Sequence, residues 1–165
     1  MQPGDALNIV AQVAVTLAGF AGIVVVFRPE SLHQWSALDK FRLRLLLINS
    51  ALPLGYALFG IFLLSIDPPP VAIWRWCSGF TVTTQLVFIM TNRSPRRSIP
   101  PAEFQSVSKM MFYSLLVVAS ITMGLQVINI AFWNRFWPFF AALFVHLVCA
   151  IAQFVRMILL TPDRR

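Results

Sequence analysis

The chain has 165 residues, of which 58% are hydrophobic and only 12% charged, and its mean hydropathy is +0.76. A soluble domain carries about 25% charged residues, so this composition excludes a water-facing surface over most of the molecule and leaves lipid as the solvent that tolerates it. The formal net charge of +7 does not make a nucleic-acid-binding face, because the basic residues sit between apolar runs, as topology signals do.

Five apolar runs are long enough to span a bilayer: 6–27, 45–66, 71–90, 110–132 and 139–160. Each covers about 30–35 Å at 1.5 Å per residue. Backbone polar groups cannot stay unpaired in hydrocarbon, so these runs are expected to be α-helices. The expected fold class is therefore all-α: an integral membrane bundle of five transmembrane helices, forming one domain over residues 1–165.

The first run has no Lys or Arg ahead of Arg28, which argues against a cleaved signal peptide. Asn8, Gln12 and Thr16 recur every four residues on it and share one helix face. Ala11, Ala14, Ala18, Ala21 and Gly22 form a small-residue ridge that permits close helix approach. Between the first and second runs, 31–43 reads as an interfacial helix. Ser31 is its expected N-cap, and Leu32, Trp35, Leu38 and Phe41 recur every three residues.

The second run carries Asn49 and Ser50. Pro53 is expected to kink it, with Gly55 and Gly60 nearby, and Asp67-Pro68-Pro69-Pro70 ends it. Thr81, Thr84 and Gln85 lie in the third run, and Pro95, Pro100 and Pro101 interrupt the loop after it. The fourth run bears Thr122, Gln126 and Asn129. Residues 133–137 make a short amphipathic turn before Pro138, and the fifth run carries His146, Cys149, Gln153 and Arg156. The two cysteines, Cys77 and Cys149, have no CxxC partner and read as small packing residues.

With five crossings the linkers alternate sides. Arg28, Lys40, Arg42, Arg44, Arg93, Arg96, Arg97, Lys109, Arg156, Arg164 and Arg165 fall on one side, and only Arg75 and Arg135 on the other. The positive-inside rule makes the first side cytoplasmic, with the N-terminus outside and the C-terminus inside. Trp74, Trp76, Trp133 and Trp137 then fall at the outer interface, and Trp35 and Tyr113 at the inner one.

Several functions lose their residues. None of the five runs contains an Asp or Glu, so ion-coupled transport lacks its usual intramembrane carboxylate. There is no in-span Lys for a retinal Schiff base, and no second in-span histidine for bis-histidine haem. HExxH, GxSxG and phosphate-binding loops are absent as well. The sequence therefore points to a non-enzyme without cofactor or metal.

Two readings remain. One is an oligomeric pore or channel with a neutral polar lining, drawn from the first helix of several identical protomers. The other is a non-catalytic accessory or scaffolding subunit of a larger membrane complex. Candidates for a pore or polar-cavity lining are Asn8, Gln12, Thr16, Thr122, Gln126, Asn129 and His146. The alternative role for these side chains is hydrogen bonding between helices. Arg93, Arg96, Arg97 and Arg156 are candidates for lipid-headgroup contact, with anionic lipids on the cytoplasmic side as partners.

The string Ala11-Gln12-Val13-Ala14-Val15-Thr16-Leu17-Ala18-Gly19-Phe20-Ala21-Gly22-Ile23-Val24-Val25-Val26-Phe27, with the later Asp39-Lys40-Phe41-Arg42-Leu43-Arg44, resembles a group of small uncharacterised bacterial multi-pass membrane proteins. The resemblance covers the first third of the chain. It implies a membrane location and no established activity, and carries no functional residues with it; the expected location of the chain is a bacterial inner membrane.

Overall fold

A computed structural model describes residues 2–27, 34–97, 100 and 109–159. Among these the chain is all-helical: α1 (Pro3–Phe27), α2 (Ala37–Leu64), α3 (Ile73–Arg97), α4 (Lys109–Ile128) running into a π-turn (Asn129–Trp133), and α5 (Phe136–Leu159). Four helical segments are long and apolar enough to cross a membrane by length and composition: Pro3–Ile23, Ala37–Leu64, Tyr113–Trp133 and Phe136–Ile158. The helix formed by the third run, α3, is not among them, because Arg75, Ser78, Thr81, Thr83, Thr84 and Gln85 dilute its apolar content.

The element ends follow local chemistry. Pro3 opens α1, where its missing N–H costs nothing, and the Asp5 carboxylate accepts from the Gln2 backbone N–H at 3.3 Å. The expected interfacial helix 31–43 lies partly outside the described residues, and its described part joins α2. Ser31 lies outside the described residues, and the cap is Ser36, whose Oγ accepts from the Asp39 N–H at 3.0 Å. Residues 37–43 are the first two turns of α2 itself, continuous with the span. Pro95 falls within α3 instead of a loop. Pro138, expected to separate two helices, sits in the first turn of α5, where proline is tolerated. The loop between α4 and α5 is correspondingly reduced to Asn134 and Arg135.

The helices have two ends. The turn end holds the α2–α3 and α4–α5 connections and the N-terminus of α1. The basic end holds the C-termini of α1, α3 and α5. α2 is the central helix, packed on α1, α3 and α5, whereas α4 packs chiefly on α3 and α5. Leu7, Val10, Ala14, Leu17 and Ala21 recur at three- and four-residue steps and bury one face of α1. They meet Leu46, Tyr56, Ala57 and Leu63 of α2 and Phe139, Leu143, Leu147 and Ala150 of α5 in one core. From the small-residue ridge, Ala14 and Ala21 are buried in this contact, whereas Gly22 faces outward.

Gly60 explains how closely the helices approach. A Cβ there would lie 2.8 Å from Leu7 Cδ1, 3.5 Å from Phe139 Cε1 and 3.9 Å from Cys77 Sγ, so four helices meet around a hydrogen atom. The aromatic residues divide. Trp76, Trp133, Trp137 and Tyr113 face outward, whereas Trp35, expected at an interface, is buried in the core beside the start of α2.

Candidate functional site

The polar residues singled out in the first, fourth and fifth runs fall into three separate groups. The first closes the turn end. The π-turn widens the helix by one residue per turn and delivers Asn129 inward, fully buried. Its Nδ2 donates to Ser78 Oγ at 2.8 Å and to the Arg135 carbonyl at 3.0 Å, and its Oδ1 accepts from the Arg135 N–H at 2.8 Å. Asn134 follows in the left-handed region at φ 49°, a conformation asparagine tolerates. Its Nδ2 donates to the Val71 carbonyl at 2.8 Å and its Oδ1 accepts from the Arg75 N–H at 3.2 Å, tying the α4–α5 turn to the start of α3. One turn back, Gln126 Nε2 donates to the Pro138 carbonyl at 2.6 Å, and Thr122 Oγ1 donates to the Val118 carbonyl at 2.7 Å. Thr122 and Asn129 are thus bonded within α4 and to its neighbours, whereas Gln126 donates through Nε2 and keeps a buried Oε1 with no partner among the described residues.

The second group lies mid-bundle. His146 of α5 bridges Asn49 of α2 (Nδ1 to Oδ1, 2.8 Å) and Gln85 of α3 (Nε2 to Nε2, 3.3 Å). Asn49 Nδ2 already donates to the Leu45 carbonyl at 2.8 Å, so its Oδ1 is the acceptor facing the ring. That fixes Nδ1–H as the donor and leaves Nε2 to accept from Gln85 Nε2: a neutral imidazole with both nitrogens bonded. Tyr56 lies against the same ring, with centroids 5.7 Å apart, and its hydroxyl meets Thr84 Oγ1 at 2.7 Å. Tyr56 carries no motif, but it shares a face with Asn49 and Pro53 at the i, i+4, i+7 spacing, which is the signal that finds it.

The third group stands alone. Asn8, Gln12 and Thr16 are exposed on the side of α1 opposite its buried face. Thr16 Oγ1 donates to the Gln12 carbonyl at 2.8 Å. The carboxamides of Asn8 and Gln12 have no partner among the described residues. No described residue of α2–α5 covers this stripe.

Of the headgroup candidates, Arg93, Arg96 and Arg97 form the last turns of α3, and their side chains lie outside the described residues. Arg156 is half-buried in the last turn of α5. Among the described residues no cluster of His, Cys, Asp and Glu could hold a metal ion. No protein-family model, curated protein or solved structure matches this chain.

Proposed function

We propose that this chain is an integral membrane protein that assembles with copies of itself around its α1 helices, whose outward polar faces line a neutral aqueous path. Gln12 carries the reading. It lies nine residues into α1, about 13–14 Å from the start of the helix and close to the middle of a hydrocarbon core about 30 Å thick. A carboxamide facing lipid there, with no hydrogen bond, costs several kcal/mol. Water in a shared path, or the same residue on a second copy, removes that cost. Five helices in one protomer leave little room for a channel of its own, so a path on a symmetry axis suits the fold better. The lining offers amides and a hydroxyl without charge, which favours water or small polar solutes over selected ions. No catalytic step belongs to this reading.

The topology we propose has five crossings, with α3 as the third and the C-terminus cytoplasmic. Its support is the register of α3 against α5: the Trp74 and Phe136 rings meet tilted, with centroids 4.8 Å apart, and Gln85 meets His146. The offset barely changes over three turns, so the two helices run parallel at one height, and a bilayer crossed by α5 is crossed by α3. Planar-bilayer recording of the purified protein tests the pore. Conductance steps that change in Gln12→Leu are expected, and silence at all voltages would count against it.

A non-catalytic accessory subunit is the second reading, and α4 favours it. Its span is 17% buried against 33–44% for the other three, and Tyr113, Leu116, Val117, Val118 and Ile121 all face outward. Purification in gentle detergent separates the two, because a larger mixed complex supports the accessory role and a single-component ring the pore.

A further inference from the structure

Among the described residues three buried side-chain oxygens have no hydrogen-bond partner: Oδ1 of Asn92, Oε1 of Gln126 and Oε1 of Gln153. Gln126 stands at the turn end. Asn92 of α3 and Gln153 of α5 belong to one seam near the basic end. Along this seam Phe139 lies beside Trp74, with ring centroids 6.1 Å apart, and His146 meets Gln85 at 3.3 Å. Seven residues after His146 comes Gln153, and seven after Gln85 comes Asn92. A step of seven residues makes two turns and returns to nearly the same helix face. The sides that touch at His146 therefore carry these two carboxamides at the next level of the seam.

Both residues are only 8% exposed. The Asn92 carboxamide cannot simply be turned round. Its Nδ2 donates to the Phe88 carbonyl at 2.8 Å, and the reverse orientation would set oxygen against oxygen. A carboxamide oxygen buried without a donor is costly. Two such oxygens at one level share a single remedy, a small molecule that donates two hydrogen bonds at once. Water is the smallest double donor, and it is close by. α3 reaches Arg97 and α5 reaches Leu159, so either carboxamide lies about 8–9 Å from the end of its helix.

We propose that Asn92 and Gln153 form a hydration site inside the bundle, in which water admitted from the basic end bridges the two carboxamide oxygens. The site gives the protomer a one-sided aqueous entrance of its own. That entrance ends short of His146, because Leu46 of α2 and Ala150 of α5, both fully buried, stand between the two levels. It lies in the α3–α5 seam of a single protomer and does not depend on assembly around α1.

Water-edited solid-state NMR of the full chain in lipid bilayers tests the site, reading how fast magnetisation passes from water to each side-chain amide. Asn129 serves as the dry reference, since it is fully buried and bonded to Ser78 and Arg135. The Asn92 and Gln153 carboxamides should receive water magnetisation several-fold faster than Asn129. Gln153→Met, close in shape but without the oxygen, should bring Asn92 down to the reference rate, and Asn92→Leu should do the same to Gln153. The unfolding midpoint gives a second reading: with a bridging water lost, Gln153→Met is no more stable than wild type. Transfer to Asn92 and Gln153 as slow as to Asn129 in wild type overturns the site. So does transfer that stays fast at Asn92 in Gln153→Met, which would show two oxygens hydrated separately. A raised midpoint in Gln153→Met overturns it too, since removing an oxygen stabilises only where that oxygen was buried dry.

Discussion

Single side chains in this bundle do two opposite things with the same chemistry. Asn129 satisfies three protein partners at once, whereas Gln12, another carboxamide, satisfies none. Replacing Asn129 by Ala leaves the Arg135 N–H and Ser78 Oγ without their partner in a buried turn. The expected loss is about 2 kcal/mol of stability, read as a lowered unfolding midpoint in micelles. His146 is the other testable point. Interhelical bonds inside membranes contribute about 0.6 kcal/mol, at most about 1.7. A double-mutant cycle on Asn49→Ala and His146→Ala should therefore return a coupling of about 1 kcal/mol, because the two atoms lie 2.8 Å apart. Additive losses would show that the pair meets without mutual stabilisation. Nitrogen-15 spectra of labelled histidine should also show the Nδ1-protonated neutral tautomer, and the opposite tautomer would contradict the Asn49 bond.

At the scale of helices, packing hinges on Gly60. A valine there would drive its branched Cβ into Leu7, with Phe139 and Cys77 closing the other sides. We expect Gly60→Val to destabilise by about 1–3 kcal/mol. Gly60→Ala should cost much less, because the atom closest to the new methyl is the far end of the Leu7 side chain, which can rotate away. The positions of the helices were legible in the sequence because hydrocarbon demands long apolar runs. Their ends were not, and the reason differs at each. α3 continues to Arg97 because the apolar run stops at Met90 but the backbone ladder does not. α2 begins at Ala37 because the segment before the span shares its helix axis. The polar stripes were visible as residue types at helical spacing. Their partners were not, since Asn129 and Gln126 bind the Arg135 and Pro138 carbonyls and backbone acceptors leave no mark in the sequence.

For the molecule as a whole, the count of crossings decides which loops share a side, and α3 is the helix on which it turns. Its composition alone is equivocal: by length and apolar content only its neighbours qualify. Several of its polar groups, however, are met by neighbouring helices, while Arg75 and Thr83 stay exposed. Ser78 is bound by Asn129, Thr84 by Tyr56, and Gln85 by His146. Its outward side instead exposes Phe80, Leu86, Val87, Ile89 and Met90. A helix whose polar residues are matched by neighbours can cross at lower apolar content than an isolated one, since each matched group escapes the desolvation penalty. Cysteine labelling tests this in intact cells, in a Cys149→Ala background with Cys77 left buried. Val71→Cys, 95% exposed before α3, should react with a membrane-impermeant maleimide from outside. Pro100→Cys, exposed after α3, should react only once the membrane is opened. Reaction of both from one side would remove α3 from the crossing helices. It would also break the segregation of Arg75 and Arg135 from the other basic residues, and with it the orientation proposed for the chain.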